Sequence, residues 1–342
     1  MTPLDRRLLT RFWHLVAHRR DLFEPGDYLR LDWGLGDLVL FNDQGTIIAF
    51  DNICPHRGAR FFVENAGKGR VVCPYHGWSY RGGELRVPLA KTFNSGQLAG
   101  LDLKHYQISW CGDFLFVAVA PEMTLAEQLG DHFDALRTIS LDIGACRDDY
   151  RMGFESNWRV AVENALEVDH VNAIHPQTLA VLDLKQTQMA KSGNNFLYTA
   201  DINNGRVLKG LEAMGRFFDP SNAYRGYWTV YLFPFAMLSS TFGYSYALQN
   251  YWPSKMPNRS HFSTRLMGRK VRAGYEGAVE SFFQSSAAIN RQIFDEDHAI
   301  CARVSPDYDL TADTRIFAPS EERVAWLHAI LERQASLTAV SE

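Results

Sequence analysis

The chain has 342 residues, 46% hydrophobic and 22% charged, the balance of an ordinary folded protein and not of a disordered or fibrous one. Lys and Arg number 35 against 39 Asp and Glu, a net charge of −4, so no basic excess recruits nucleic acid or an anionic membrane surface. Five cysteines are too few for a disulfide scaffold of this length; a reducing cytoplasm is the expected compartment, where clustered cysteines bind metal or do chemistry.

Near the start, Arg6, Arg7 and Arg11 are not followed by the continuous apolar segment of a secretory signal. No apolar run reaches the roughly 18–20 residues of a membrane span, so no membrane partner is expected. Phe12, Trp13, Leu15 and Val16 read as a packed N-terminal element. Residues 27–120 alternate short strands and turns. The runs 38–41 and 46–50 flank Asn42-Asp43-Gln44-Gly45, a hairpin signal; Arg81-Gly82-Gly83-Glu84 is a second turn and 114–120 an apolar strand. From about residue 121 helical patterns enter: 123–127, a helical period over 157–175, then 275–304 and 320–336. Between them 225–270 returns to aromatic and β-branched strands. The expected fold class is α+β. A segment 1–26 packs on the larger domain, 27–120 is a small all-β domain, and 121–342 holds an antiparallel sheet flanked by helices.

Two pairs of metal-ligating residues lie in the β domain. Cys54-Pro55-His56 is followed, after sixteen residues, by Cys73-Pro74-Tyr75-His76, each pair in a loop after an expected strand. Two such loops facing each other present two thiolates and two imidazoles to one inorganic centre. A structural Cys₂His₂ zinc site and a Rieske [2Fe–2S] cluster both fit that donor set, although Cys-x-His is an uncommon zinc half-site.

A second constellation lies in the larger domain. Glu163, Glu167 and His170 fall at i, i+4 and i+7, one face of a helix, and His175 follows five residues later. Five helical steps rotate by roughly 140°, so the helix must end or bulge between the histidines if both face one point. The segment is either a solvated acidic helix with two incidental histidines or two ligands of a 2-His-1-carboxylate iron site. The candidate third ligand is Asp297, set in an apolar stripe of Ile293, Ile300 and Val304. A carboxylate there must be paired with an arginine or bound to metal. Asp295 and Glu296 point elsewhere on such a helix and are expected in solvent.

Cys54-Pro55-His56-Arg57-Gly58 with Cys73-Pro74-Tyr75-His76-Gly77-Trp78 resembles the cluster motif of the Rieske non-haem iron oxygenases, the family of the aromatic-ring-hydroxylating alpha subunits. The flanking Ala49-Phe50-Asp51-Asn52 and Gly83-Glu84-Leu85 agree. The stretch from Asn157 to Pro176 is similar to the family's iron-binding helix, and Phe294-Asp295-Glu296-Asp297 to its late acidic segment. The resemblance implies a helix-grip, START-like catalytic domain. It implies Cys54 and Cys73 on one cluster iron and His56 and His76 on the other, with Gly58 and Gly77 bringing backbone N–H groups to the sulfurs and Trp78 shielding them. It implies His170, His175 and Asp297 on a mononuclear Fe(II), and Glu167 bridging the two centres across the subunits of a homotrimer. Three features depart from the pattern: Glu167 stands where ring-hydroxylating members often have Asp, Asp169 stands where an aromatic residue is common, and the Gln expected just after the late helix is absent.

The implied activity is that of a terminal oxygenase that activates O₂. Its electrons come from NAD(P)H through a separate reductase, with or without a ferredoxin, because no Gly-x-Gly-x-x-Gly follows a strand here. The expected reaction is mono- or cis-dihydroxylation of a small aromatic substrate. Oxidative N- or O-demethylation, or hydroxylation of a quaternary amine or methoxyarene, is the alternative; a Rieske electron carrier without oxygenase activity is another. Candidate pocket walls are Tyr227, Trp228, Tyr231, Phe233, Phe235, Phe242, Tyr244 and Tyr246, of which strand alternation turns about half away. Cys111, Cys146 and Cys301 are expected to be reduced and buried, without chemistry.

Overall fold

In the computed structural model, which describes residues 1–94, 96–219, 221, 223–306 and 315–339, the chain opens on a helix set by its own cap. Thr2 Oγ1 accepts from the Asp5 N–H and the Asp5 carboxylate accepts from the Thr2 N–H. Pro3 takes the first helical position, where an N–H would have no partner anyway. This helix, α1 (Pro3–Arg11), buries Leu4, Leu8 and Leu9. Strand β1 (His14–His18) follows and is buried at every position.

Three small antiparallel sheets come from the first third of the chain. β2 (Asp27–Asp32), β3 (Asp37–Asp43), β4 (Thr46–Asp51) and β5 (Ala66–Lys68) form a sheet in the order β4-β3-β2-β5. The β3–β4 hairpin closes at the expected turn, where Asn42 Oδ1 accepts from the Gly45 N–H at 2.7 Å. β6 (Val71–Val72), β7 (Ser79–Arg81) and β8 (Glu84–Arg86) form the second. β9 (Gln107–Cys111) and β10 (Phe114–Ala118) pair back to the start of the chain, in the order β1-β10-β9.

The remainder builds one large sheet and its helices. After α2 (Leu125–Leu129) and α3 (Phe133–Asp142) come β11 (Ile143–Phe154), α4 (Trp158–Leu166), α5 (Val171–Ile174), β12 (Leu184–Ser192), β13 (Asn195–Ile202) and α6 (Gly205–Met214). Then follow β14 (Tyr227–Leu232), β15 (Ala236–Thr241), β16 (Ser245–Pro253), β17 (Ser260–Arg269), α7 (Glu276–Cys301) and α8 (Glu322–Ala339). The seven strands run in the order β11-β17-β16-β15-β14-β13-β12, each antiparallel to its neighbours. The α+β class is as expected, although β11, β12 and β13 were not legible in the sequence.

Alternation gives this sheet two different faces. Val230, Leu232, Leu238, Leu248 and Met267 pack on Leu15, Phe114 and Phe116 of the three-stranded sheet behind it. Thr229, Met237, Ser239, Ala247, Gln249 and Tyr251 face a cavity on the other side, where α7 also contributes. A second core joins α1, α4 and α8 through Leu8, Phe12, Trp158, Leu327 and Ile330. Among the described residues no helix is long and apolar enough to cross a membrane.

The structure differs from expectation at both iron-site segments. Residues 157–175 form not one helix but two, broken after Leu166. α7 ends at Cys301, so Val304 lies outside it, exposed; its buried positions are Val279, Phe283, Phe294 and Cys301. The apolar stripe that carries Asp297 therefore runs through Phe294 and Cys301.

The N-terminal segment is fastened to the large sheet by charge. The Arg265 side chain on β17 is buried; Nη1 donates to the Val16 carbonyl at 3.1 Å and Nη2 to the Asp21 carboxylate. Asp21→Ala leaves that guanidinium without its anion and is expected to cost about 3–5 kcal/mol of unfolding free energy, read by urea denaturation. A loss below about 1 kcal/mol would place the pair among solvent-screened surface bridges.

Candidate metal centres

The two Cys-His loops have the same backbone hydrogen bonds. The Cys54 N–H donates to the carbonyl of Ala59 at 2.8 Å, and the Cys73 N–H to that of Trp78 at 2.7 Å. The Gly58 N–H donates to the Cys54 carbonyl at 2.9 Å, and the Gly77 N–H to the Cys73 carbonyl at 3.0 Å. Both glycines sit in the left-handed region, with φ of 74° and 70°. This closes each loop and shows what the glycines do: their N–H groups serve the cysteine carbonyls, in place of the sulfurs expected from the motif. Asn52 braces the first loop, its Oδ1 accepting from the Phe61 and Phe62 N–H groups and its Nδ2 donating to the Phe62 carbonyl.

Cys54 and Cys73 are buried and unbridged. Burial, with the neighbouring Cys73 thiol, holds the Cys54 thiol pKa above its ordinary value. His56 stacks flat on Trp78 at 4.7 Å and 2°, and meets His76 edge-on at 4.6 Å. Trp78 is only 3% exposed, whereas Tyr75, stacked on His76, is 61% exposed. His56 Nδ1 is buried with no hydrogen-bond partner. Two adjacent buried thiols and an orphaned imidazole nitrogen fit a [2Fe–2S] cluster with mixed Cys and His ligands.

The second site depends on the helix break. Asn157 caps α4, its Oδ1 accepting from the Arg159 N–H at 2.9 Å. α4 ends at Leu166, and Glu167 is extended at φ −106° and ψ 167°. α5 is a single turn with His170 at one end and His175 at the other. The rotation that a continuous helix would impose is thereby removed. The break also separates Glu163 from Glu167, which were expected on one face. Glu163 is buried in a cluster of its own, accepting from Arg315 at 2.6 and 3.0 Å and facing His328 Nε2 at 2.8 Å.

Both imidazoles are held through Nδ1. The Glu167 carboxylate accepts from His170 Nδ1, and from the His170 and Asp169 N–H groups at 3.2 and 2.5 Å. His175 is fully buried, and its Nδ1 donates to Glu296 Oε2 at 2.7 Å. Glu296 is held in turn by Gln292 at 2.8 Å and Thr178 at 3.3 Å. Expected in solvent, Glu296 is instead a residue that the sequence reading missed. Asp295 does lie on the exposed side, where it accepts from the Tyr150 hydroxyl at 2.5 Å.

The two Nε2 atoms share a partner. Asp297 Oδ1 lies 3.0 Å from His175 Nε2 and 3.6 Å from His170 Nε2, and accepts from Asn164 Nδ2 at 2.7 Å. Donor atoms of His170, His175 and Asp297 all lie within 4.8 Å of one another. Among the described residues no arginine pairs with Asp297. Burial opposes the charged form of His175, but the hydrogen bonds to Asp297 and Glu296 prevail and its pKa stands above its ordinary value. Burial likewise opposes the charged form of Glu167, and the bond to His170 reverses it, lowering the pKa. Two nitrogens and a carboxylate oxygen converging this way fit a facial iron site.

These three residues line a cavity of about 360 Å³, at the small end for ligand sites. Of the eight aromatics expected in its wall, only Tyr227 is there. Trp228 and Tyr246 pack behind the sheet, Tyr231, Phe233 and Phe235 lie in the core with α1, and Phe242 and Tyr244 pack with Phe218. Tyr198, Tyr251, Phe282 and the side chain of Arg323 line the cavity instead. Cys111 and Cys301 are buried as expected, but Cys146 lies on an exposed stretch of β11.

Residues 12–95 match the family described as Rieske [2Fe-2S] domain, and residues 137–336 match ring hydroxylating alpha subunit (catalytic domain). The chain is similar to a glycine betaine monooxygenase oxygenase subunit of Chromohalobacter salexigens, 30% identical over 51% of this chain and 40% of the relative. It is 23% identical to a chloroplastic choline monooxygenase of Atriplex hortensis, over 95% of this chain and 74% of the relative. The match thus spans less than half of the first relative's length. Among solved structures, the quaternary ammonium Rieske monooxygenase CntA in complex with an inhibitor superposes with a TM-score of 0.76 at 17% identity, covering 97% of this chain and 91% of the other.

The loop glycines give a direct test. At Gly58 an added Cβ meets nothing within 4 Å, so the cost of Gly58→Ala is conformational alone. Chemical denaturation should show a loss of about 1–2 kcal/mol, and a similar one for Gly77→Ala. No loss at either position would mean that the loops tolerate an ordinary backbone.

Proposed function

The chain belongs to the ring-hydroxylating alpha-subunit family, and from that premise we propose that it is a Rieske-type terminal oxygenase acting on a small organic molecule held in the cavity beside His170, His175 and Asp297. One observation carries the reading: three donor atoms converge on a cavity wall while both imidazole Nδ1 atoms are tied to carboxylates. In this reading Cys54 and Cys73 would hold one iron of the cluster and His56 and His76 the other, with His170, His175 and Asp297 on a mononuclear Fe(II). Bound there, the cluster supplies electrons singly and the ferrous ion keeps positions open for dioxygen. The division at residues 26 and 120 belongs to the same proposal; a separate small core around Phe50, Trp78 and Tyr80 supports it over 28–103, whereas β9 and β10 pack on the large sheet.

The protein's own groups prepare the site. Glu167 and Glu296 accept from the two Nδ1–H groups, which fixes each tautomer and leaves Nε2 as the available nitrogen. Asn164 donates to Asp297 Oδ1 and limits its rotation. Ile293 and Phe294 of α7 add apolar surface to the cavity wall beside the site. Electrons come from a separate reductase, with or without a ferredoxin, and Glu167 stands between the centres of adjacent subunits in a homotrimer.

For the substrate we favour a quaternary amine over the aromatic molecule first expected. The relatives named for glycine betaine and choline support this, as do Glu167 in place of Asp and the rings of Tyr227 and Tyr251, whose faces suit an ammonium. Hydroxylation of an aromatic ring is the second reading, favoured by the apolar side chains of α7.

The test is O₂ and NADH consumption by iron-loaded protein with a surrogate reductase, against quaternary amines and aromatic acids, with product masses. Gain of one oxygen or release of formaldehyde from an amine is expected; gain of two oxygens by an arene would establish the second reading. No coupled uptake in protein holding both iron centres overturns the oxygenase assignment. His175→Ala should abolish turnover yet leave the cluster reducible; turnover that survives it would contradict the iron site. Glu296→Ala should weaken ferrous binding by about 10–100-fold in a metal titration, and unchanged affinity would reduce Glu296 to a bystander.

A further inference from the structure

Arg323 is an anomaly in the cavity wall. It is the second residue of α8, in the first helical turn, where the helix dipole disfavours a cation. The residue is 3% exposed and lines the cavity. Among the described residues its guanidinium makes no hydrogen bond and no ion pair. Its contacts are ring faces: the guanidinium carbon lies 4.4 Å from the centre of Tyr198 and 5.9 Å from that of Phe196. The other two arginines buried to this degree each donate to oxygen, Arg265 to Asp21 and Val16, Arg269 to the Asp219 carbonyl. Cation–π contact does not replace an anion for a cation removed from water.

Among the described residues no carboxylate pairs directly with Arg323. Burial pushes the Tyr227 hydroxyl up to about 12 and raises that of Tyr198, so both are neutral near pH 7. Glu167 is close enough to act on Arg323 electrostatically, but its oxygens are engaged by His170 and two backbone N–H groups. A guanidinium fork that is unsatisfied and faces the cavity describes a receptor for a planar anion.

We propose that the substrate carries a carboxylate and that Arg323 receives it, while the rest of the molecule extends toward His170, His175 and Asp297. This deepens the oxygenase reading and rests on it only in taking the cavity as the substrate site. It selects small zwitterionic betaines or aromatic acids, and it excludes amino alcohols and neutral arenes of the same size.

The experiment is calorimetric binding to the iron-loaded protein of two matched pairs: glycine betaine against choline, and benzoate against benzyl alcohol. The wild type should bind the carboxylate of at least one pair tenfold or more tighter than its neutral-ended counterpart. R323Q should erase that preference without weakening the counterpart. R323K, which keeps the charge but lacks the planar fork, should reduce it several-fold and serves as the test if R323Q does not fold. Equal binding within both pairs, binding of neither carboxylate, or a preference that survives R323Q overturns the proposal. A purely structural Arg323 would lower the melting temperature of R323Q and leave the ratio unchanged. Because binding is read without turnover, loss of O₂ uptake with the preference intact would sink the oxygenase reading alone, and the reverse outcome this inference alone.

Discussion

An imidazole presents two nitrogens, either of which can carry the proton, and it aims one of them reliably only when the other is held. In this protein each histidine of the candidate iron site is held by a carboxylate, His170 by Glu167 and His175 by Glu296. Much of the surrounding structure follows from that requirement. Glu167 can reach back to His170 because it lies in extended backbone after α4 has ended. Glu296 can reach His175 because α7 runs beside α5, so that two successive residues of one helix serve the same imidazole, Glu296 at Nδ1 and Asp297 at Nε2. One carboxylate orients and the next is placed to ligate.

The large sheet makes room for this arrangement by having one face already satisfied. The apolar residues of β14–β17 that point backward are covered by β1, β9 and β10, strands from the first third of the chain. The forward face is free to carry Thr229, Ser239 and Gln249, polar side chains that a closed core would not accommodate. The site is therefore built against a rigid, two-sided layer, which keeps its wall in place without help from a ligand.

What the sequence disclosed tracks the range of the interaction involved. The Cys-His loops were legible because ligands, glycines and turns all lie within a few residues, and the repeat of one loop in the other is itself a signal. Asp297 was legible as a charge out of place in an apolar stripe, even though the stripe runs through Phe294 and Cys301 and not Ile300 and Val304. Glu296 was not, because helical periodicity assigns a residue to one side by its Cα direction, and a long side chain at the margin can reach around. The pocket walls were misassigned for a similar reason. Alternation says that neighbours face opposite ways, but which parity faces the cavity depends on what covers the sheet, and that is decided by strands more than a hundred residues away. β12 was missed because it is an edge strand with Lys185, Gln186, Thr187 and Gln188 in solvent, a composition that reads as loop.

The first helix packs on α8, where Arg7 Nε donates to Gln334 at 3.1 Å, and on α4, where Asp5 accepts from Trp158 at 2.8 Å. Between them the N-terminal strand waits for β10, and Asp21 for Arg265. A ribosome delivers these partners late. The leucines of α1 find part of their cover in β2, β10 and α4 and the rest only in α8, and contacts of such long sequence separation close slowly. The core around α1 is completed when α8 docks against it.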